Sequence, residues 1–231
     1  MPSFGSDVLA EYNISSYRKY ISEYEHLSSR EKRGAEIITE LTGREAAALA
    51  DPVVLLSEDE WSAFASERKK DEKYIVLFFL DNPSEEAIEM ANRIQEDTGY
   101  KAVVFCYEHD LSGKMDCEGG GPQEFISIIH NAEFVLTDSF HACMFSVIFK
   151  VPFYVFYRNT KYVSKQSARI DNLLDSYKMK QRLIESVRDI NKQDYEMDRE
   201  YIDSVLSKER DRVLQYLDRV LDKYESKRAV K

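Results

Sequence analysis

The residues best suited to chemistry lie in Thr137-Asp138-Ser139-Phe140-His141. An apolar run, Phe134-Val135-Leu136, precedes them and an apolar helical stretch follows. They therefore read as a turn from a strand end into a helix, with an imidazole in the helix's first turn. Free N–H groups and the positive dipole end gather there, which favours a neutral imidazole able to give or take a proton. On these residues alone, His141 is open to two readings: an acid/base group, or a structural imidazole packed under a loop. Of the other histidines, His26 and His109 fall in surface or loop segments and His130 near a helix end.

Gly119-Gly120-Gly121-Pro122 stands directly before a helical stretch carrying Phe125, Ile126, Ile128 and Ile129. Three glycines allow a ligand close to the backbone, and Pro122 suits a first helical position. A flexible loop ending in a Pro-started helix accounts for the same residues, since no Walker or dinucleotide pattern is present. Arg30, at the start of the periodic run Arg30 to Leu41, puts a cation where the helix dipole disfavours it. It reads either as an exposed arginine tolerating a small penalty or as one aimed at an anion. Arg169, ahead of Ile170-Asp171-Asn172-Leu173-Leu174, is equally open. Cys106-x-x-His109 with Cys117 hints at zinc, but no fourth ligand sits at a plausible spacing, so no metal is expected.

The elements that must position these residues change character along the chain. Ile14, Tyr17, Ile21 and Tyr24 recur at helical spacing, Thr42-Gly43 closes the next helix, and Ala46 to Leu49 reads as a short strand. Ser57 caps a helix holding Trp61 and Phe64, and the polar stretch Ser66 to Lys73 reads as a linker. Beyond it strands and helices alternate. Tyr74 to Leu80 is continuously apolar, as in a strand buried on both faces. A helix follows with Ala87, Ile88, Ala91 and Ile94 on one side; further strands are expected at Ala102–Cys106, Phe134–Thr137 and Phe153–Phe156. That alternation predicts an α/β fold with a Rossmann-like open parallel sheet. A long amphipathic helix, Met197 to Tyr224, ends the pattern.

The 231 residues carry 43% hydrophobic and 32% charged side chains, a globular balance that suits one large domain or one and part of another. A net charge of −10 argues against non-specific nucleic-acid binding, though not against a local anion pocket. Three widely spaced cysteines imply no disulfide framework. The opening Met-Pro-Ser-Phe-Gly-Ser-Asp lacks the basic and apolar regions of a signal peptide, and no apolar stretch reaches membrane-spanning length. A cytoplasmic protein is expected.

Gly121-Pro122-Gln123-Glu124-Phe125-Ile126, continued through Asn131 to His141, resembles the signature block of the polysaccharide pyruvyl transferases. The likeness runs on through Phe145 to Phe149, Pro152-Phe153 and Arg169 with Leu173-Leu174. Upstream, Ser3-Phe4-Gly5, Ser28-x-Arg30-Glu31, Gly34, Asp51-Pro52 and Trp61 follow in that family's order. Ala142-Cys143 stands where the family usually has a Gly-Thr-like pair; both are small enough to keep the helix entry.

The resemblance implies a GT-B-like architecture, two Rossmann-type lobes across a cleft. Residues 1–65 would be a remnant of an N-terminal lobe whose Gly-rich beginning is missing. Residues 70–195 would be the C-terminal lobe and 196–231 an amphipathic C-terminal helix. It also implies transfer of pyruvate from phosphoenolpyruvate to a sugar diol as a ketal, in surface polysaccharide biosynthesis, with no cofactor beyond that donor substrate. His141 would then be the acid/base residue and Arg30 the donor-binding cation, with Ser139, Glu124 and Arg169 orienting the ligand. The acceptor would be a glycan or lipid-linked sugar, and a homodimer or a partner would cover the missing lobe. A GT-B-type glycosyltransferase, or a non-catalytic truncated remnant serving as an interaction domain, are the competing readings.

Overall fold

The computed structural model describes residues 2–4, 8–68, 72–80, 82–105, 116–158 and 168–228, and it divides into two units. One comprises residues 1–55, 164–172 and 203–231, the other residues 56–163 and 173–202. Cys106 and His109, and with them the zinc question, lie outside the described residues.

The smaller unit opens with α1 (Glu11–Ser22), none of whose residues is buried. Of Ile14, Tyr17, Ile21 and Tyr24, the two isoleucines are half-buried and the two tyrosines exposed, so their spacing does not mark a core stripe. Arg44 satisfies the chain beyond it, donating to the carbonyls of Tyr24 (2.7 Å) and Glu25 (2.6 Å). Strand β1 (Ser28–Ser29) pairs in parallel with β2 (Ala47–Ala48). Between them α2 (Lys32–Thr42) buries Gly34, Ala35, Ile37 and Ile38, and Gly43 ends it in the left-handed conformation, φ 68°. A Cβ on Gly34 would stand 2.1 Å from Ser29 Oγ and 3.2 Å from the Phe4 ring, so only glycine lets α2 approach β1 this closely.

In the larger unit, α3 (Glu58–Phe64) starts with a full capping box: Ser57 Oγ accepts from Glu60 N–H, and Glu60 accepts from Ser57 N–H. The sheet is built from β3 (Tyr74–Phe78), β4 (Lys101–Phe105), β5 (Asp116–Glu118), β6 (Phe134–Thr137) and β7 (Phe153–Val155). The order is β5-β4-β3-β6-β7 and every pairing is parallel. The expected open parallel sheet is present, with β5 as an edge strand that the apolar pattern did not announce. Leading from β3 to β4, α4 (Glu85–Thr98) contributes Ala87, Met90, Ala91 and Ile94 to the core; Met90 occupies the inner position and Ile88 is exposed. Before β6 comes α5 (Pro122–His130), and between β6 and β7 lies α6 (Phe140–Phe149). Residues 142–149 of α6 are all buried, as a helix apolar on every side demands.

A chain of aromatic rings runs from Trp61 to Phe145 (5.0 Å), from Phe145 to Phe125 (5.8 Å) and from Phe125 to Phe78 (4.8 Å). His130 packs against Phe149 with ring centroids 4.5 Å apart and planes tilted by 39°, which gives that imidazole a packing role. Lys150, buried and left-handed at φ 55°, ends α6 and reaches Glu58 at 2.6 Å, tying α6 to the start of α3. Past β7, residues 180–197 are clamped by Arg188, whose two terminal nitrogens each lie 3.0 Å from a carboxylate oxygen of Asp194. Burial raises the Asp194 pKa, and the bonds from Arg188 and Asn191 outweigh it and hold the carboxyl below its ordinary value.

Two further helices, α7 (Ala168–Ser176) and α8 (Arg199–Arg228), each begin in one unit and end in the other. In the smaller unit α8 buries Leu206 and Val213, and its Arg210 donates to Val54 O at 2.8 Å. No helix among the described residues is long and apolar enough to cross a membrane.

Candidate functional site

In an open parallel sheet, helix N-termini and free strand ends converge at the C-terminal edge, and the crevice lies where successive connections diverge. Here the chain leaves β3 toward β4 and leaves β6 toward β7, so the divergence falls between the ends of β3 and β6. Asp138 is the residue at that place. It is 4% exposed; one carboxylate oxygen accepts the Leu80 N–H just beyond β3 at 2.8 Å. The other lies 3.3 Å from Arg158 Nε, just beyond β7. A single carboxylate thus joins the C-terminal ends of β3, β6 and β7.

Thr137 and Ser139 shape the turn around it. Thr137 Oγ1 donates to Phe78 O (2.6 Å) and accepts from Ser139 N–H (2.9 Å). Ser139, itself buried, is the N-cap of α6 and accepts from Ala142 N–H at 3.4 Å. Ala142 and Cys143 are fully buried, so the small pair there does keep the helix entry. Burial, reinforced by the Asp138 charge, pushes the Cys143 thiol far up and leaves it no role as a thiolate. His141, half-buried, follows in the first turn with its ring edge-on to Phe140 at 5.4 Å.

Glu124 lies in the first turn of α5 and accepts from Gly121 N–H at 2.8 Å, a capping contact. The glycine tract is close-packed here: a Cβ on Gly120 would come within 2.4 Å of Glu124 Cβ. The three residues of the larger unit, His141, Ser139 and Glu124, therefore all occupy helix N-terminal turns.

Arg30 and Arg169 belong to the smaller unit. Arg169 is half-buried in the first turn of α7. For Arg30 the structure corrects the helix boundary. Glu31 is the N-cap in extended conformation and α2 starts at Lys32, so Arg30 stands outside the helix and its dipole penalty does not arise. Its N–H donates to Pro2 O at 3.0 Å, and its guanidinium pairs with Asp51, a carboxylate 5% exposed. Arg30 follows β1 and Asp51 follows β2, so this pair joins the C-terminal ends of the unit's two strands. Glu31, 2% exposed, accepts from Ser3 Oγ at 2.6 Å. Pro2-Ser3, Ser29-Arg30-Glu31 and Asp51 are thus one cluster.

Asp138, Arg158 and Asp51 are site residues that the structure adds to those expected from sequence. For Asp138 the signal was present, a carboxylate between the strand end and the helix cap; Arg158 carries none, since its partner lies on another strand.

A family model described as polysaccharide pyruvyl transferase matches residues 2–160. No curated protein matches the chain. Among solved structures, the glycotransferase of kitacinnamycin is similar over 70% of this chain and 45% of its own, at 13% identity and a TM-score of 0.40. The UDP-GlcNAc 2-epimerase of Methanocaldococcus jannaschii, in complex with UDP-GlcNAc and UDP, is similar over 83% of this chain and 61% of its own, at 14% identity and a TM-score of 0.42. The chain spans less than two thirds of the length of either structure.

Proposed function

The chain belongs to the polysaccharide pyruvyl transferase family, and on that premise we propose that it transfers pyruvate from phosphoenolpyruvate to two hydroxyls of a sugar. The observation that carries this reading is the turn Thr137–His141, which puts an imidazole in a helix first turn three residues after a buried aspartate that pairs with Arg158 at the sheet's divergence point. The vinyl carbon of the donor takes up a proton and becomes a methyl group. Two acceptor hydroxyls bond to the adjacent carbon, giving a ketal, and the C–O bond to phosphate breaks. Of the two hydroxyl protons, one balances the new methyl group and the other leaves with phosphate. His141 serves as the acid/base group. Arg158, held by Asp138 in the same unit as His141, supplies a planar cation for an anionic group of the donor, and Arg30, held by Asp51 in the smaller unit, is a second arginine suited to the donor's carboxylate or phosphate. The process served is surface polysaccharide biosynthesis, in the cytoplasm.

The test is phosphate release from phosphoenolpyruvate across a panel of sugar acceptors, with the ketal detected by mass spectrometry. Acceptor-dependent release with a pyruvylated product supports the reading. Release of a nucleoside diphosphate from a nucleotide-sugar, with none from phosphoenolpyruvate, would replace it by glycosyl transfer.

A further inference from the structure

We propose that Thr137 is a positioning residue: its hydroxyl sets the start of α6 against the sheet and so fixes the direction in which His141 presents its imidazole. Thr137 is the one polar residue of β6, and it is fully buried. A valine would fill the same space in a buried strand and leave no hydroxyl to satisfy. The threonine is therefore explained by what its hydroxyl bonds.

That hydroxyl links two elements. Phe78 and Thr137 are the last paired residues of the β3–β6 ladder, and Thr137 Oγ1 donates to the Phe78 carbonyl at 2.6 Å. The same oxygen accepts from Ser139 N–H at 2.9 Å, and Ser139 is the N-cap of α6. On the other side the Thr137 carbonyl accepts from Phe156 N–H, just beyond β7, at 2.9 Å. The residue is thus held from both neighbouring strands and holds the helix cap in turn. The Asp138 carboxylate turns to Leu80 and Arg158, beyond β3 and β7. The Ser139 hydroxyl turns forward to Ala142 N–H at 3.4 Å, within α6 itself. Of these bonds, those of Thr137 bridge the sheet and the helix start.

His141 follows two residues after the cap. Residues 142–149 are all buried, and their packing keeps the body of α6 in place. Loss of the Thr137 hydroxyl therefore acts on the first turn, where His141 is half-buried. Proton transfer demands placement of the reacting groups, and an error of about 1 Å costs about 10²-fold in rate. Attraction between an arginine and an anion falls off only slowly with distance, so donor binding tolerates the same error. The effect on turnover rests on the transferase reading; the hold of Thr137 on the His141 ring does not.

The experiment compares Thr137→Val, which keeps the shape and loses the hydroxyl, with Thr137→Ser, which keeps the hydroxyl, both in the whole chain. In Thr137→Val, kcat for phosphate release from phosphoenolpyruvate falls about 10–100-fold while KM for phosphoenolpyruvate stays within about twofold. In Thr137→Ser, kcat returns to within about threefold of the unaltered chain. The second readout is the carbon–proton NMR signal of the His141 ring, identified by its loss in His141→Gln. The ring lies edge-on to Phe140 at 5.4 Å, so a change in its direction moves that signal. It moves in Thr137→Val and stays in Thr137→Ser. Should the valine variant not fold, Thr137→Cys replaces it, because a thiol is a weak donor and acceptor, and shows the same changes in smaller measure. Equal loss of turnover in the valine and serine variants would assign the effect to packing of the methyl group and overturn the proposal. A moved His141 signal in Thr137→Val, in a chain that releases no phosphate from phosphoenolpyruvate, supports the positioning role and removes the transferase reading. Turnover lost in Thr137→Val with the His141 signal unmoved keeps the transferase reading and overturns the positioning role.

Discussion

In the smaller unit, Asp51 follows β2 and pairs with Arg30, which follows β1; in the larger, Asp138 follows β6 and pairs with Arg158, which follows β7. Both aspartates are buried, and both also accept a backbone N–H. They differ in where that N–H comes from. Asp51 takes it from Val53, two residues on, at 3.1 Å. Asp138 takes it from Leu80, at the end of another strand, at 2.8 Å. The helix entries differ likewise: α6 has its own serine cap, whereas α2 starts at an uncapped Glu31 whose carboxylate is held by Ser3. One turn is fixed from within its sheet, the other by the first residues of the chain. Positions set by packed strands are the more exact, so the proposed mechanism assigns the demanding proton transfer to the larger unit and the more tolerant anion contact to Arg30.

The sharpest test of that division of labour is His141→Ala. Loss of a general acid/base group costs about 10²–10⁴ in turnover, and phosphate release should fall in that range with the melting temperature little changed. Near-wild-type turnover by a folded variant removes His141 from the chemistry and with it the priority of the larger unit.

Next in size is the pair Asp138→Ala and Asp51→Ala. Each removes an arginine's ion-pair partner and the acceptor of a backbone N–H, at a cost of about 1–3 kcal/mol for the lost hydrogen bond and more for the broken ion pair. Both arginines retain some solvent, which lowers these figures. Asp138→Ala should cost about 2–4 kcal/mol in denaturant melts, and Asp51→Ala about 1–3, because only the former uncouples three strands. Equal losses would show that the distant donor contributes nothing.

Much of the larger unit was legible in sequence because its strands are buried on both faces: Tyr74–Phe78 and residues 134–136 are apolar throughout, and a run of that kind flanked by turn residues has few other readings. Asp116-Cys117-Glu118 escaped notice because an edge strand of polar residues has no such pattern. Periodicity also misplaced Ile88, since Met90 completes the 87, 90, 91, 94 stripe equally well. His141 and Ser139 were legible from a local motif. The Asp138–Arg158 and Arg30–Asp51 pairs were not, because each joins side chains on different strands, which only the sheet brings together. The position of Arg30 outside the helix has a further reason to be hidden: glutamate is an uncommon N-cap, so no residue type marks Lys32 as the start of α2.

Arg30→Lys tests the tolerant side of the comparison. The charge and the attraction to Asp51 persist while the planar fork is lost. KM for phosphoenolpyruvate should rise about tenfold, equivalent to about 1.4 kcal/mol, with turnover at saturation and stability nearly unchanged. An unaltered KM would confine Arg30 to holding Asp51.

The smallest expected effect is that of Ser139→Ala, and it separates the two ways of fixing a strand-to-helix turn. Removing a serine N-cap costs about 0.5–2 kcal/mol. The bond from Ala142 N–H is long at 3.4 Å, which places the expected loss at the low end, about 0.5–1 kcal/mol. The hydroxyl is buried, so water does not readily replace it and the loss should not vanish. Thr137 Oγ1 still accepts the residue-139 N–H at 2.9 Å in the variant, and Asp138 still links Leu80 and Arg158. The turn should therefore persist, and thermal melts should show a drop well below that of Asp138→Ala. If Ser139 also orients a ligand, KM rises in the same variant while the melting temperature moves only slightly. A stability loss in Ser139→Ala that equals or exceeds that of Asp138→Ala would mean that the cap, and not the inter-strand carboxylate, holds His141 in place. The contrast with the uncapped α2 would then rest on capping alone.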